Sequence, residues 1–198
     1  MIQEVAMRSE GRGQWLAMIA LLIVTTGCSQ PAQSSRSSDD VAVLPCQDVI
    51  GSEATLRSGY SAILDGVALP TGRALQASAS GGSTPDSMLF AKDGLLIRRG
   101  ASFDILVPNE WHGRLKIGWG SPGKPTTHLR VPGCRPTERN PASGRWSLGD
   151  QWLAYPGGYW ISQPACVSVV VQAEHAQQTV NIGVGAACPG ESPPPPPA

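Results

Sequence analysis

Charge is scarce in this chain: only 15% of its 198 residues are Asp, Glu, Lys or Arg, against roughly 25% in an ordinary soluble domain. The 15 cationic and 15 anionic side chains cancel, so no basic face is expected and nucleic acid is set aside as a partner. A chain this poor in charge cannot furnish the outer faces of long solvent-facing helices. Histidine is limited to His112, His128 and His175. None is spaced i, i+2 or i, i+4 from another, and the sole candidate grouping (His112 and His128 on adjacent strands beside Glu110) is too thin to predict a metal site. The G-x-S-x-G elbow, H-E-x-x-H, the P-loop and G-x-G-x-x-G are all missing, so no catalytic residue and no cofactor is assigned. No two cysteines form C-x-x-C, which removes zinc-ribbon and thioredoxin-like redox chemistry. Asp93, Asp104, Glu110 and Asp150 are the acidic residues from which a glycosidase pair would be drawn. Scattered along strands and loops, they are expected to be solvated.

Glycine and proline are abundant instead, 23 and 18 residues, well above the roughly 12% usual for globular proteins. At the N-terminus, Arg8 and Arg12 precede the apolar run Leu16–Val24. As a helix its nine residues rise only about 14 Å, too short for a hydrocarbon core of roughly 30 Å. A charged start, a short apolar centre and small residues after it form a secretory signal, for which Met7 serves as a start as well as Met1. The stretch Thr25-Thr26-Gly27-Cys28 resembles the lipobox of bacterial lipoproteins, although Thr25 stands where that family usually has Leu. The resemblance implies a lipid on Cys28, with palmitate among its acyl chains, a cell-membrane anchor on the extracytoplasmic face, and residues 1–27 as the signal peptide.

Residues 28–44 read as a flexible tether, since Ser29–Asp40 holds no aliphatic residue larger than Ala. The folded domain is expected over 45–190. A Pro-rich disordered tail follows over 191–198, with the run Pro193–Pro197 as exposed polyproline II. The signal peptide takes two charges of each sign with it, so the mature chain stays neutral.

Setting Cys28 aside leaves Cys46, Cys134, Cys166 and Cys188, an even number that argues for two disulfides in an exported chain. Val167–Val171 and Thr179–Val184 read as the arms of a hairpin. Position 166 then faces about position 184, and four further extended residues place Cys188 roughly 13 Å away, beyond the roughly 7 Å that a disulfide spans. Cys166–Cys188 is therefore disfavoured. Cys134–Cys166 with Cys46–Cys188 is preferred, and Cys46–Cys166 with Cys134–Cys188 stays open.

Between Cys46 and Cys188 the apolar pattern has period two. Phe103-x-Ile105-x-Val107, Leu115-x-Ile117-x-Trp119, Val167-x-Val169-x-Val171 and Val180-x-Ile182-x-Val184 alternate cleanly. Weaker strands are expected at Tyr60–Ala68, Leu95–Arg99, Thr127–Val131 and Tyr159–Ser162. Turn residues such as Pro108-Asn109, Pro132-Gly133 and Pro156-Gly157-Gly158 punctuate them. About eight short strands without intervening helices predict an all-β fold, an antiparallel, immunoglobulin-like β-sandwich. Trp111, Trp119 and Trp160 are expected in or against the core. Residues 72–88 and 135–150 are the long loops, where function tends to sit.

The runs Cys46–Ser52, Leu56–Tyr60, Leu95–Gly100, Ile117–Gly120, Gly157–Trp160, Pro164–Val167 and Val180–Cys188 resemble an uncharacterised family of exported actinobacterial proteins. That likeness spans nearly the whole domain and implies no activity, substrate or catalytic residue. The densest candidate for binding is aromatic: Trp146, Trp152, Tyr155, Tyr159 and Trp160 fall within fifteen residues. Exposed, such rings would stack on the C–H faces of a wall glycan; buried, they pack the loop onto the sandwich. The expected function is a non-catalytic structural or protein-interaction module of the cell envelope, with a glycan-binding module as the alternative. Exposure of the rings separates the two.

Overall fold

The computed structural model describes residues 41–79, 88–135 and 151–194. The strands are β1 (Val41–Val43), β2 (Gly51–Glu53), β3 (Tyr60–Ile63), β4 (Val67–Pro70), β5 (Leu89–Lys92), β6 (Leu95–Arg98), β7 (Ser102–Leu106), β8 (Leu115–Trp119), β9 (His128–Pro132), β10 (Trp152–Tyr155), β11 (Gly157–Ile161), β12 (Ala165–Gln172) and β13 (Gln177–Val184). Among the described residues, the only helical pieces are single 3-10 turns at Cys46–Asp48 and Asn109–Trp111. The protein is all-β, and its arrangement is that of a sandwich.

The four clean alternations become β7, β8, β12 and β13. Their inward residues are buried: Phe103, Ile105, Leu115, Ile117, Val167, Val169, Ile182 and Val184 are each at most 5% exposed. The expected strand Tyr60–Ala68 is instead a hairpin, β3 and β4, turned at Leu64-Asp65. Both turn residues have positive φ, 46° and 52°, and the Gly66 N–H closes the turn on the carbonyl of Ile63, so three residues join the paired Ile63 and Val67. Asp65-Gly66 is a hairpin signal in the sequence, one that the expectation of a single strand over Tyr60–Ala68 passes over. β1, β2, β5 and β10 were not foreseen, each having only three or four residues. β1 also places Val41–Val43 in a sheet, inside the stretch expected as tether, and Leu44 is 1% exposed. At the other end the backbone of Ala74 bonds to Ser192, so the fold extends past 190.

The first sheet has the order β1-β9-β7-β12-β13, with β1 parallel to β9 and the remaining pairs antiparallel. The second runs β2-β10-β6-β4-β3 and the third β5-β11-β8. One apolar core takes inward residues from all three, among them Ile105, Val169 and Ile182 from the first, Leu69, Ile97 and Leu153 from the second, and Ile117, Tyr159 and Ile161 from the third. Two strand lines pass from the third sheet to the second. β5 continues into β6 across Asp93-Gly94, and β11 follows β10 across Pro156 alone. Such corners let a strand serve two sheets. Arg73, Leu75 and Ser78 form single bridges to Ser192, Val184 and Phe90, so the segment 73–78 runs from β13 to β5.

The disulfides are Cys46–Cys134 and Cys166–Cys188, with Cα separations of 5.2 and 4.8 Å. This corrects the preferred pairing, Cys134–Cys166 with Cys46–Cys188. The hairpin register itself was close: Cys166 faces Gly183, one residue from the expected position. What differs is the chain after Val184. Gly185 has φ +73°, a left-handed residue at which the strand direction ends, and its N–H bonds to the carbonyl of Leu75. The chain thus leaves the strand and brings Cys188 back beside Cys166.

Candidate functional site

Two clusters carry the side chains of interest: the aromatic run around β10 and β11, and the buried acid Asp93. Trp152 and Tyr155 belong to β10, whose four residues are all buried, and not to the loop in which Trp152 was expected. Exposure is 5% for Trp152 and 0% for Tyr155 and Tyr159. Alternation explains the split. β10 is paired on both sides, by β2 and β6, and sends Leu153 and Tyr155 into the main core. Trp152 and Ala154 point to the opposite face, where with Ala68 and Leu96 they form a second apolar cluster covered by Leu56 and Tyr60. The Arg98 guanidinium lies 5.5 Å from the centre of the Trp152 ring. Tyr155 Oη donates to the carbonyl of Cys46 at 3.2 Å, and burial, with Asp48 nearby, raises its pKa. Tyr159 stands edge-on to Trp119, centroids 5.3 Å apart. Trp160, 5% exposed, packs on Phe90 at 4.8 Å. These rings are core, and none of Trp152, Tyr155 and Tyr159 offers a face to solvent. Trp146 lies outside the described residues.

The scattered acids separate. Asp104 on β7 lies 3.0 Å from His128 Nε2 and accepts from Arg130 Nε at 3.2 Å, on the first sheet. Glu110 sits in the second 3-10 turn, where its carbonyl accepts from Arg114. Asp150 is outside the described residues. His112 bonds to the carbonyl of Val107 at 3.2 Å, and His175 lies beside Glu174 on an exposed turn. His112 and His128 therefore have different partners. Among the described residues no three of His, Cys, Asp and Glu gather in a way that would hold a metal.

Asp93 is the exception to the solvated expectation, at 5% exposure. Its backbone is fixed on two sides: its N–H bonds to Gly157 O at 2.9 Å, and its carbonyl accepts the Trp119 indole N–H at 3.0 Å. Tyr60 Oη donates to Oδ1. Oδ2 has no hydrogen-bond partner among the described residues, and neither does the hydroxyl of fully buried Tyr159. Burial pushes the Asp93 carboxyl up to about 6, against the pull of the Tyr60 hydroxyl, the Gly94 N–H and the Arg57 and Arg73 charges. The same burial, reinforced by Asp93, raises both Tyr60 and Tyr159. Arg57 is held by Glu53, which raises the guanidinium further. A carboxyl of this kind stores or releases a proton near neutrality. Sequence reasoning missed it because Lys92-Asp93-Gly94 reads as an exposed turn.

No family model matches the chain, and no curated protein or solved structure matches it. The fold and site thus define a class, a disulfide-stapled all-β sandwich with a buried acid at the corner between two sheets.

Proposed function

We propose that this chain is a non-catalytic, lipid-anchored domain on the extracytoplasmic face of the cell membrane, acting as a structural or protein-interaction module of the cell envelope. The observation that carries the reading is the cysteine balance. Of five cysteines, four are consumed in two disulfides inside the sandwich, which leaves Cys28 alone, directly after Gly27 and the short apolar run. Paired cysteines suit an oxidising compartment outside the cytosol, which supports export. The short hydrophobic run supports cleavage and lipidation rather than a spanning helix. Burial of Trp152, Tyr155 and Tyr159 favours the interaction module over the glycan-binding alternative, which would rest on Trp146.

Metabolic labelling with a palmitate analogue tests the anchor. Wild-type protein should take up the label and sediment with membranes, whereas Cys28→Ala should lose the label and move to the medium or remain as a larger precursor. A Cys28→Ala protein of unchanged size and membrane retention would overturn the reading.

A further inference from the structure

We propose that Tyr60 and Asp93 form a proton-operated latch, which holds residues 56–60 over the Trp152 cluster and tightens on acidification. The two halves of the contact differ in mobility. Asp93 is pinned at the corner between the second and third sheets by Gly157 and by the Trp119 indole. Tyr60 opens β3, the last strand of its sheet, paired only to β4, and follows the bends and turns of residues 54–59. Its side chain does two things at once: the ring joins Leu56 in covering Ala68, Leu96, Trp152 and Ala154, and the hydroxyl bonds to Asp93. Release of the hydroxyl frees an edge element, the kind of segment that opens without global unfolding.

The proton dependence follows from what surrounds the acid. Arg57 in the cover, Arg73 in the segment after β4, the Tyr60 hydroxyl on β3 and the Gly94 N–H all favour the ionised form. Tyr159 on β11 faces the same site but gives Oδ2 no hydrogen bond, and neighbouring Lys92 is exposed. Glu53 faces Arg57 and offsets part of its charge. With the latch closed, ionised Asp93 therefore keeps an oxygen out of water without a donor, an arrangement that costs free energy. Opening admits water and removes that cost, and so does protonation. The closed state must then bind the proton more tightly than the open one, and by linkage acid favours closure. For a carboxyl titrating at about 6 when closed and about 3.9 when solvated, the closed-to-open ratio rises about tenfold between pH 7.5 and pH 5.

Amide hydrogen exchange on the full chain, corrected for intrinsic rates, reads this directly at residues 56–63. Opening should be about tenfold rarer at pH 5 than at pH 7.5 in the wild type, and equal at the two pH values in Asp93→Asn, which keeps the shape but cannot ionise. Equal opening in the wild type, or a tenfold ratio that persists in Asp93→Asn, overturns the latch. Should Asp93→Asn fail to fold, Tyr60→Phe keeps the ring and its packing while removing the donor. The carboxyl-carbon resonance of Asp93 should then titrate at higher pH than in the wild type, because a bond to the charged form has been lost. An unmoved midpoint, or a wild-type midpoint at the ordinary aspartate value, overturns the proposal equally.

Discussion

Cys166 lies 4.8 Å from Cys188 at Cα, although Cys188 stands four positions beyond the end of β13. Gly185 makes this possible by ending the strand in a left-handed conformation, so distance along the chain ceases to measure distance in space. The bridge closes a short loop, with a sequence separation of 22, and Cys46–Cys134 a long one of 88. Chain-entropy estimates give about 3 and 5 kcal/mol respectively.

Peptide mapping without reductant should recover Cys46–Cys134 and Cys166–Cys188 fragments. Cys46→Ala/Cys134→Ala should lower stability more than Cys166→Ala/Cys188→Ala, by about 1–2 kcal/mol in urea melts. Recovery of a Cys46–Cys188 fragment would contradict the architecture around Gly185.

Gly158 on β11 is a close-approach position: a Cβ there would stand 2.0 Å from the Ala91 carbonyl oxygen on β5. Backbone cannot yield by that amount, so Gly158→Ala should cost about 3 kcal/mol or more. Gly59→Ala meets nothing within 4 Å but has φ +81° and should cost only about 1–2 kcal/mol. Denaturation of the two variants side by side checks the order.

Truncating Trp152 to Ala empties a buried site between Leu96, Ala68 and the Tyr60 cover, which should cost about 3–5 kcal/mol. The thermal midpoint should fall by roughly 10 °C for a domain of this size. A midpoint left unchanged would mean that the ring is not packed, and would restore it as a surface for glycan.

Global stability should also respond to Asp93. Its folded pKa is raised to about 6, above the unfolded value of about 3.9, so the native state holds the extra proton. This group's penalty is absent below about pH 4, grows as pH rises through 6, and is full above 7, where it amounts to roughly 2–3 kcal/mol. Asp93→Asn should consequently gain stability on the wild type as pH is raised from 5 to 7.5, as read by urea unfolding at each pH.

The long strands were legible because each buries one face: Val167, Val169 and Val171 alternate with half-buried or exposed neighbours along β12, and alternation is visible in one dimension. β10 was illegible for the opposite reason. The sheet is covered on both sides there, so Trp152-Leu153-Ala154-Tyr155 carries no alternation, and its rings looked like a loop's. Asp93 was hidden as well, since the partners that exclude its water, Tyr60, Trp119 and Tyr159, come from β3, β8 and β11.

The sequence by itself determined the all-β class and the presence of two disulfides, because period-two burial and an even cysteine count are local or additive properties. Tertiary structure alone decided which cysteines meet, which aromatic rings face the core and which acid loses its water. Each of those depends on a reversal or a sheet corner — Leu64-Asp65, Asp93-Gly94, Pro156, Gly185 — that brings remote segments together, and nearness of that kind has no periodic trace in the chain.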